Sequence, residues 1–332
     1  MITANFFHIN CTNGLYHYGI DYLCENINLI RKVLVRPSLA AQTKSKLPNC
    51  EVVPCTAMGY LVEVLLAYCQ GDLLYTPTSH PLPFINKQMI VFHDAYPFRS
   101  SQGSSFKRFL LQLSLSLSCC KVGYINKSEA KPFVLGLGVS LDRMIFAPNR
   151  FPVVERSIFK DTSPANCLIV GLFGTDSSKK NYDRLLNALR QMSPSPHIAF
   201  RVYGHDSKYF LDICAKFPEF QIELSNSDNE SPIEFLHQVD IVVSVAEEEG
   251  FGRPIALALL AGFRVELLDR PVFREFFNHG AYFHSSIDDL VRSLLKPLNK
   301  SEHICYTAPG DVVSAFNEAT KKIRLLGAGI SK

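Results

Sequence analysis

The chain has 332 residues, of which 47% are hydrophobic and 20% are charged, a composition that suits a soluble globular protein with two hydrophobic cores. Its formal net charge is only +3 and no long Lys/Arg block is present, so no nucleic acid is expected as a partner. The sequence lacks a secretory signal pattern and any run of about 20 apolar residues, which favours a cytoplasmic location.

In chain order, short apolar runs rich in β-branched residues alternate with helical patterns, which predicts an α/β architecture with mostly parallel sheets. The strands predicted in the first half are 5–9, 32–35, 73–76, 89–92, 121–125 and 144–147, and the helices there include 15–28 and 106–118. The strands predicted in the second half are 167–173, 199–203, 221–224, 241–245 and 265–268, and the helices include 182–192 and 255–261.

These two series predict an N-terminal Rossmann-like domain over 1–150 and a C-terminal Rossmann-like domain over 167–310. Residues 151–166 show little periodicity and are predicted to form the linker. A final amphipathic helix and tail over 311–332 is expected to pack on one of the domains or to lie on an acidic surface. Because ligands of open α/β sheets collect beyond the carboxyl ends of strands, the active cleft is expected between the domains.

His93 and Asp94 directly follow an apolar strand in the segment VFHDAYPF. A histidine at a strand end can hydrogen-bond a sugar hydroxyl or orient a phosphate, and its titration near neutral pH suits acid-base chemistry. The structural alternative is a turn capped by Asp94 with His93 half-buried beside it. Position alone leaves both interpretations open.

A second candidate is the segment VGLFGTDSSKKNYDRLLNAL, in which a strand and a glycine-containing loop lead through Lys179 and Lys180 into a helix. Backbone N–H groups and the helix dipole at such a junction favour anions, and each lysine adds a positive charge. The segment predicts a phosphate site, with a solvated basic helix start as the alternative. Gly204, in the strand end YGHD, is predicted to allow a close backbone approach.

The stretch EEEGFGRPIALALLAG combines three adjacent carboxylates with a tight turn and a helix. Adjacent carboxylates repel one another, so a purely structural turn would rarely contain them, and the stretch is predicted to be functional. The sequence has no Asp-x-Asp, HExxH or EF-hand motif. Metal-dependent chemistry is therefore not expected.

Taken together in chain order, these segments resemble the corresponding motifs of the retaining GT-B glycosyltransferases of glycosyltransferase family 4. The resemblance is strongest over 167–295, where the family's motifs occur in the family's order: KKN with LLNAL, YGHD, EEEGFGRP and PVFREFFNHGAYF. It extends into the first half through two further segments, VFHDAYP and GYINKSEAKPF. It implies a GT-B fold, in which two Rossmann-like domains face each other across a cleft and the second domain binds a nucleotide-sugar donor.

The resemblance also implies roles for particular residues. The catalytic residues would be Glu249, which contacts the donor sugar hydroxyls, and His93, which reaches the donor sugar from the opposite domain. The donor-binding residues would be Lys180, Asn13, Gly14, Gly204, Gly250, Phe251, Gly252 and Arg253. No metal and no cofactor are implied, because the UDP- or GDP-linked sugar is a substrate. The charge of the leaving diphosphate would then be stabilised by Lys180, helix N-termini and backbone amides.

Three positions depart from the family pattern. An arginine that commonly precedes the diphosphate lysine is absent, and Val245-Ala246 replaces Pro-Ser. Leu257 stands eight positions after Glu249, where a second glutamate binds the nucleotide ribose. Because leucine cannot accept a hydrogen bond, nucleotide affinity is expected to fall by about 1 to 3 kcal/mol unless another group compensates. The candidate substitutes are Thr175, Ser177, Ser178 and Lys179 for the arginine, and Glu247 and Glu248 for the glutamate.

The leading hypothesis is a metal-independent, retaining hexosyltransferase that uses a UDP- or GDP-sugar and a glycan or lipid-linked glycan acceptor in surface polysaccharide biosynthesis. A lipid-linked acceptor would bring peripheral membrane contact at the inner face, to which 106–111 would contribute. The rival is a catalytically silent GT-B protein that binds a nucleotide, a glycan or a partner enzyme. A nicotinamide-dependent dehydrogenase is the weaker alternative, because no GxGxxG motif opens either domain.

Overall fold

The computed structural model describes residues 1–95, 98, 104–154, 167–192, 197–296 and 305–330. The chain divides into two compact units, Met1–Arg150 with Gly310–Lys332, and Phe151–Pro309. The C-terminal helix therefore groups with the first unit. Tyr96 and Pro97 of the His-Asp segment, and 155–166 of the predicted linker, lie outside the described residues.

The first unit is built on a parallel sheet of seven strands. They are β1 (Ile2–Asn5), β2 (Ile30–Val35), β3 (Glu51–Pro54), β4 (Leu73–Thr76), β5 (Gln88–Phe92), β6 (Lys121–Tyr124) and β7 (Met144–Phe146). Their spatial order is β3-β2-β1-β4-β5-β6-β7, so the order reverses between β1 and β4. The helices are α1 (Gly14–Glu25), α2 (Ala40–Lys46), α3 (Ala57–Cys69), α4 (Ser104–Ser116) and α5 (Ala130–Gly136).

The second unit repeats this plan with a parallel sheet of six strands. They are β8 (Leu168–Phe173), β9 (Ile198–Gly204), β10 (Gln221–Asn226), β11 (Ile241–Ser244), β12 (Arg264–Leu268) and β13 (Tyr282–His284). Their order is β10-β9-β8-β11-β12-β13, which reverses between β8 and β11. The helices are α6 (Tyr182–Met192), α7 (Lys208–Lys216), α8 (Pro232–Leu236), α9 (Arg253–Leu260), α10 (Pro271–Phe277) and α11 (Ile287–Leu294). These two Rossmann-like units confirm the predicted α/β class.

The helix α12 (Gly310–Ala328) packs on the first unit. The Phe316 ring lies 4.7 Å from that of Tyr22 between centroids, and the Arg324 guanidinium donates to the Glu25 carbonyl at 2.8 Å. These contacts join the last helix to the end of α1. In the described ranges, no helix has both the length and the apolar composition needed to cross a bilayer.

The predicted strand 5–9 is wrong, because β1 ends at Asn5. The Asn5 Oδ1 atom accepts a hydrogen bond from the Phe7 N–H at 3.2 Å, and the Ile9 N–H donates to the Phe6 carbonyl at 2.9 Å. These local bonds turn the chain out of the sheet. Phe6 and Ile9 are nevertheless buried, which gave the turn an apolar pattern typical of a strand. The short edge strands β3 and β13 were not predicted.

A buried charge network joins β12 to the edge strand β13. The Glu266 carboxylate is completely buried and accepts hydrogen bonds from Arg264 at 2.6 and 2.8 Å, while His284 hydrogen-bonds its second oxygen. Burial by itself raises the pKa of Glu266, but the hydrogen bonds from His284 and Arg264 outweigh it and leave that pKa below its ordinary value of 4.5. The network therefore stabilises the ionised carboxylate.

Replacing Glu266 by glutamine leaves Arg264 without its counter-charge, and we expect the free energy of unfolding to fall by about 3 kcal/mol at pH 7. Since the folded-state pKa of Glu266 is depressed, its contribution is present above pH 4.5 and is lost as the pH falls further. Urea unfolding at several pH values measures both effects. The exposed strand residue Glu223, changed in the same way, is the control, and equal losses in the two variants would contradict this account.

Candidate functional site

The candidate site lies at the carboxyl edge of the second sheet, between β8 and β11. These strands pair in parallel, with Val170 opposite Ile241, and the chain then runs outward from them in opposite directions. The loops that follow the two strands diverge around one crevice, which is where open α/β sheets bind their ligands. Lys180 follows β8, and Glu249 follows β11.

Lys180 and Glu249, 69 residues apart in the sequence, form an ion pair at this edge. The Lys180 ammonium donates to Glu249 Oε2 at 3.1 Å, and the two side chains keep 18% and 24% of their surfaces exposed. Burial raises the pKa of Glu249, but the charges of Lys180 and Lys179 and hydrogen bonds from Lys180 and the Gly250 amide outweigh it, so the pKa is lowered. The pair is thus a fixed ammonium beside an ionised carboxylate.

The segment around Lys180 is fixed to the ends of β8 and β11. Asn181 adopts a left-handed backbone with φ of 55° and donates through Nδ2 to the Val245 carbonyl at 3.2 Å. The Tyr182 hydroxyl donates to the Gly174 carbonyl at 2.7 Å. At Gly174, φ is 94° and a Cβ would lie 2.8 Å from Lys180 Cε. Glycine therefore both forms the turn and leaves room for the lysine.

The turn after Glu249 is anchored by an aromatic side chain. Phe251 is buried, with its ring 4.7 Å from that of Phe276 and 5.1 Å from that of Phe151. Gly252 has a φ of 86° and caps the start of α9, whose first residue is the half-exposed Arg253. Phe251 thus acts through packing, which fixes the turn between β11 and α9.

A small pocket lies beneath the ion pair. Its volume is about 20 Å³, close to the space of one water molecule. It is lined by Phe173, Lys180, Tyr182, Val243, Ser244, Glu249, Gly252, Pro254 and Ile255. Over the residues that the structure describes, no group of three or more His, Cys, Asp or Glu side chains could hold a metal ion.

The three adjacent carboxylates have different surroundings. Glu247 pairs with Arg184 and lies 3.7 Å from the Arg270 guanidinium. One oxygen of Glu248 is buried without a hydrogen-bond partner among the described residues. Neither arginine was predicted, although Arg184 lies four residues after Lys180 and Arg270 lies two residues after the end of β12. The positive charge at this edge is therefore larger than the two lysines alone supply.

Two of the proposed substitutes for the missing arginine are already engaged in local structure. Thr175 is buried and its Oγ1 accepts the His205 N–H at 3.0 Å, while Ser177 Oγ accepts the Lys179 N–H at 3.4 Å. A Cβ at Gly204 would lie 2.5 Å from Thr175 Oγ1. The glycine is therefore required by packing against Thr175.

The remaining candidate residues belong to the first unit. His93 Nε2 hydrogen-bonds the Pro77 carbonyl at 2.9 Å, and its ring meets the edge of Tyr18 at 4.5 Å between centroids. Asn13 caps α1, because its Oδ1 accepts two backbone N–H groups of the first turn, and Gly14 is the first residue of that helix. His93 is thus fixed after β5, and Asn13 shapes the exposed loop after β1.

An aromatic cluster in the first unit was not singled out from the sequence. The His8 and His80 rings stack at 4.3 Å, Phe7 stacks on Tyr60 at 4.4 Å, and the Arg36 guanidinium lies over Phe7. Burial, with smaller effects of His80 and Arg36, lowers the pKa of His8 to about 4. The cluster follows β1 and β4, where the order of the first sheet reverses. The sequence signal that could have revealed this cluster is the position of His8 and His80, each a few residues after the end of β1 or β4.

No protein-family model and no curated protein matches the sequence. Solved structures do match, including Anabaena Alr3699/HepE in complex with UDP and glucose, with a TM-score of 0.67 and 16% identity over 99% of this chain and 98% of that one. A glycosyltransferase from Rickettsia africae ESF-5 has a TM-score of 0.62 and 15% identity over 98% and 93%. Sucrose-phosphate synthase from Thermosynechococcus elongatus has a TM-score of 0.62 and 12% identity over 98% and 94%. The chain therefore has the GT-B fold, which confirms that prediction.

Replacing Lys180 by methionine removes the larger of the two charges that oppose the effect of burial, together with a hydrogen bond, so the pKa of Glu249 is expected to rise above its ordinary value of 4.5. Carbon-13 NMR titration of the glutamate carboxyl groups measures this shift, with Glu249→Gln used to assign the resonance. Lys208→Met, on the exposed start of α7, is the control. A Glu249 pKa that remains below 4.5 without Lys180 would show that this ion pair does not determine the ionisation.

Proposed function

We propose that the chain is a retaining glycosyltransferase that moves a hexose from a UDP- or GDP-sugar to a glycan acceptor without a metal ion. The observation that carries the proposal is the Lys180–Glu249 pair, held at the point where the strand order of the second sheet reverses. The match to a GT-B structure described in complex with UDP and glucose supports the substrate class.

Lys180 is the residue proposed to bind the donor diphosphate. Its ammonium is fixed by the surrounding loop and remains partly exposed, so an anion can reach it from the solvent side. When the bond between the anomeric carbon and the diphosphate breaks, negative charge develops on the departing phosphate oxygen. A preorganised ammonium in a partly dry site stabilises that charge more strongly than the flexible side chain of an exposed lysine would.

Glu249 is proposed to serve the donor in two ways. Its lowered pKa keeps the carboxylate ionised at neutral pH, so it can accept hydrogen bonds from sugar hydroxyls. It also holds Lys180 in position at 3.1 Å. A carboxylate that already neutralises one ammonium is better suited to orienting the donor than to attacking it, and we assign it no nucleophilic role.

The nucleotide is proposed to bind across the start of α9. Leu257 lies on this helix and is half-exposed, so it offers an apolar surface where a carboxylate would bind ribose. Arg184 and Arg270, which both pair with Glu247, add positive charge nearby. Nucleotide affinity would then depend more on the diphosphate than on the ribose.

The acceptor is proposed to be a glycan or a lipid-linked glycan of surface polysaccharide assembly, bound by the first unit. The His8 cluster supplies polar and aromatic groups beyond the strand ends of that unit. Aromatic faces and neutral imidazoles suit the apolar faces and hydroxyls of sugars. Use of a lipid-linked acceptor would place the protein in the cytoplasm, in peripheral contact with the inner face of the membrane.

Lys180→Ala and Glu249→Ala are each expected to lower the rate of sugar transfer by about 100-fold or more, because each removes a group acting on the reacting donor. Release of UDP or GDP from a panel of nucleotide sugars measures this loss. Lys208→Ala, on an exposed helix start, should retain normal turnover. A normal rate for either site variant would remove that residue from the mechanism.

Leu257→Glu is expected to tighten UDP or GDP binding by about fivefold, which corresponds to about 1 kcal/mol for a new ribose hydrogen bond. Isothermal titration calorimetry compares this variant with Leu257→Gln and with Leu260→Glu, which lies further along the helix and is also half-exposed. Equal affinity in wild type and Leu257→Glu would mean that the ribose lies elsewhere.

The alternative function is a catalytically silent GT-B protein that binds a nucleotide, a glycan or a partner enzyme. It is favoured by Leu257 and by the local engagement of Thr175 and Ser177, two of the four candidate substitutes for the missing arginine. Binding of a nucleotide sugar without turnover, across the same panel, would support this alternative.

A further inference from the structure

The carboxyl edge of the first sheet carries a group of polar side chains on three neighbouring strands. Arg36 directly follows β2, His8 follows β1 and His80 follows β4. The strand β1 pairs in parallel with both β2 and β4, so the residues that follow these strands reach the same edge. The sheet order reverses between β1 and β4, and open α/β sheets bind ligands at such a reversal. This edge is therefore a candidate ligand site within the first unit.

The side chains at this edge form one continuous cluster. The His8 and His80 rings stack at 4.3 Å between centroids, and Phe7 stacks on Tyr60 of α3 at 4.4 Å. The His8 ring also meets those of Phe7 and Tyr60 edge to face, at 5.8 and 5.7 Å. The Arg36 guanidinium lies 5.2 Å from the centre of the Phe7 ring. These five residues make up the His8 cluster.

Hydrogen bonds from the strand ends hold the cluster in place. The buried Asn5, at the end of β1, donates through Nδ2 to the Tyr60 hydroxyl at 3.0 Å, and this hydroxyl lies 3.5 Å from His8 Nε2. His80 Nδ1 lies 3.0 Å from Thr78 Oγ1. Burial is the main cause that lowers the pKa of His8 to about 4. The His8 ring is therefore neutral at pH 7 and has one hydrogen-bond donor and one acceptor.

Arg36 brings a positive charge to the cluster. Its Nε donates to the Phe7 carbonyl at 2.9 Å, while its terminal nitrogens have no hydrogen-bond or ion-pair partner within the ranges that the structure describes. No Asp or Glu occurs in the four segments that build the cluster: 5–14, 34–40, 55–62 and 73–85. Glu63, the next acid along α3, pairs with Lys32. The guanidinium is thus oriented by the backbone and has no carboxylate to balance it.

The exposure of the cluster argues against a purely structural role. Arg36 and His80 are exposed, and Phe7 and His8 are half-buried, whereas Tyr60 is buried. A cluster that only filled space at the sheet edge would be expected to bury its rings and to leave the charge out. Here the polar groups are held in fixed positions and remain accessible, which is the arrangement that a ligand site requires.

We propose that the His8 cluster binds an anionic sugar, whose carboxylate or phosphate contacts Arg36 and whose hydroxyls contact His8 and His80. A guanidinium offers parallel N–H donors to two oxygens of a carboxylate or phosphate, which makes arginine well suited to either group. Neutral imidazoles can donate to hydroxyls and accept from them, and aromatic faces suit the apolar face of a sugar ring. A neutral sugar would leave the charge of Arg36 without a partner.

In the proposed glycosyl transfer this anionic sugar is part of the acceptor, and that assignment alone rests on the proposed function. A chain that binds no anionic sugar could still transfer a hexose to a neutral glycan. A catalytically silent chain could still bind an anionic sugar. Sugar binding and nucleotide release are measured separately, so failure of one proposal is distinguishable from failure of the other.

NMR titration of the histidine ring protons tests the proposal. The full chain is titrated with glucuronate, glucose 6-phosphate, glucose and inorganic phosphate, and His8→Gln and His80→Gln assign the two resonances. We expect both resonances to shift and at least one anionic sugar to bind about tenfold more tightly than glucose. The tighter of the two identifies a carboxylate or a phosphate as the preferred group. Arg36→Gln should abolish this preference, and Lys180→Ala should retain it.

The matched control is Arg108→Gln. Arg108 is also exposed, donates to a backbone carbonyl, that of Gly136 at 3.3 Å, and lies 5.8 Å from the centre of the Phe133 ring. Thermal unfolding and near-UV circular dichroism verify that each variant is folded. Equal affinity for glucose and both anionic sugars, or a preference that Arg36→Gln and Arg108→Gln retain alike, would overturn the proposal. Glucose 6-phosphate that binds no more tightly than inorganic phosphate, with no binding of glucuronate, would indicate an adventitious ion only and would also overturn it.

Discussion

The parallel pairing of β8 with β11 is the constraint on which the candidate site depends. The two strands are neighbours in space, but 67 residues of chain separate the end of one from the start of the other, and the sheet grows outward from them in opposite directions. The loops that follow these two strands therefore lie side by side, because no other strand separates β8 from β11. Lys180 and Glu249 meet because of this topology, and the left-handed Asn181 and the buried Phe251 fix the backbone on each side.

The ion pair also constrains the proposed binding of the donor. Two charges that are only 18% and 24% exposed have lost much of their hydration, and each depends on the other for compensation. In the proposed donor complex, the diphosphate would share the Lys180 ammonium with Glu249, which already contacts it at 3.1 Å. At the same edge, Arg184 and Arg270 balance the negative charge of Glu247. Two of the three adjacent carboxylates, Glu247 and Glu249, are therefore held by cations from other elements.

The sequence predicted the strands well where apolar runs were bounded by turns, as in β4 and β11, because such strands are buried on both faces. It failed at 5–9, where the Asn5 side chain competes with the sheet for a backbone N–H. Lys180 and Glu249 were recognised separately by residue type and by resemblance, but their 3.1 Å contact depends on strand order. The His8 and His80 stack and the arginines around Glu247 likewise require the fold, since their partners lie far apart in the chain.

The most direct test of the central claim is an experimental structure of the chain with bound UDP or GDP. The account predicts that the diphosphate lies within about 3 Å of the Lys180 ammonium, which is hydrogen-bonding distance, with the nucleotide extending along the start of α9. A nucleotide bound in the second unit whose phosphates do not contact Lys180, or one bound only in the first unit, would contradict the account.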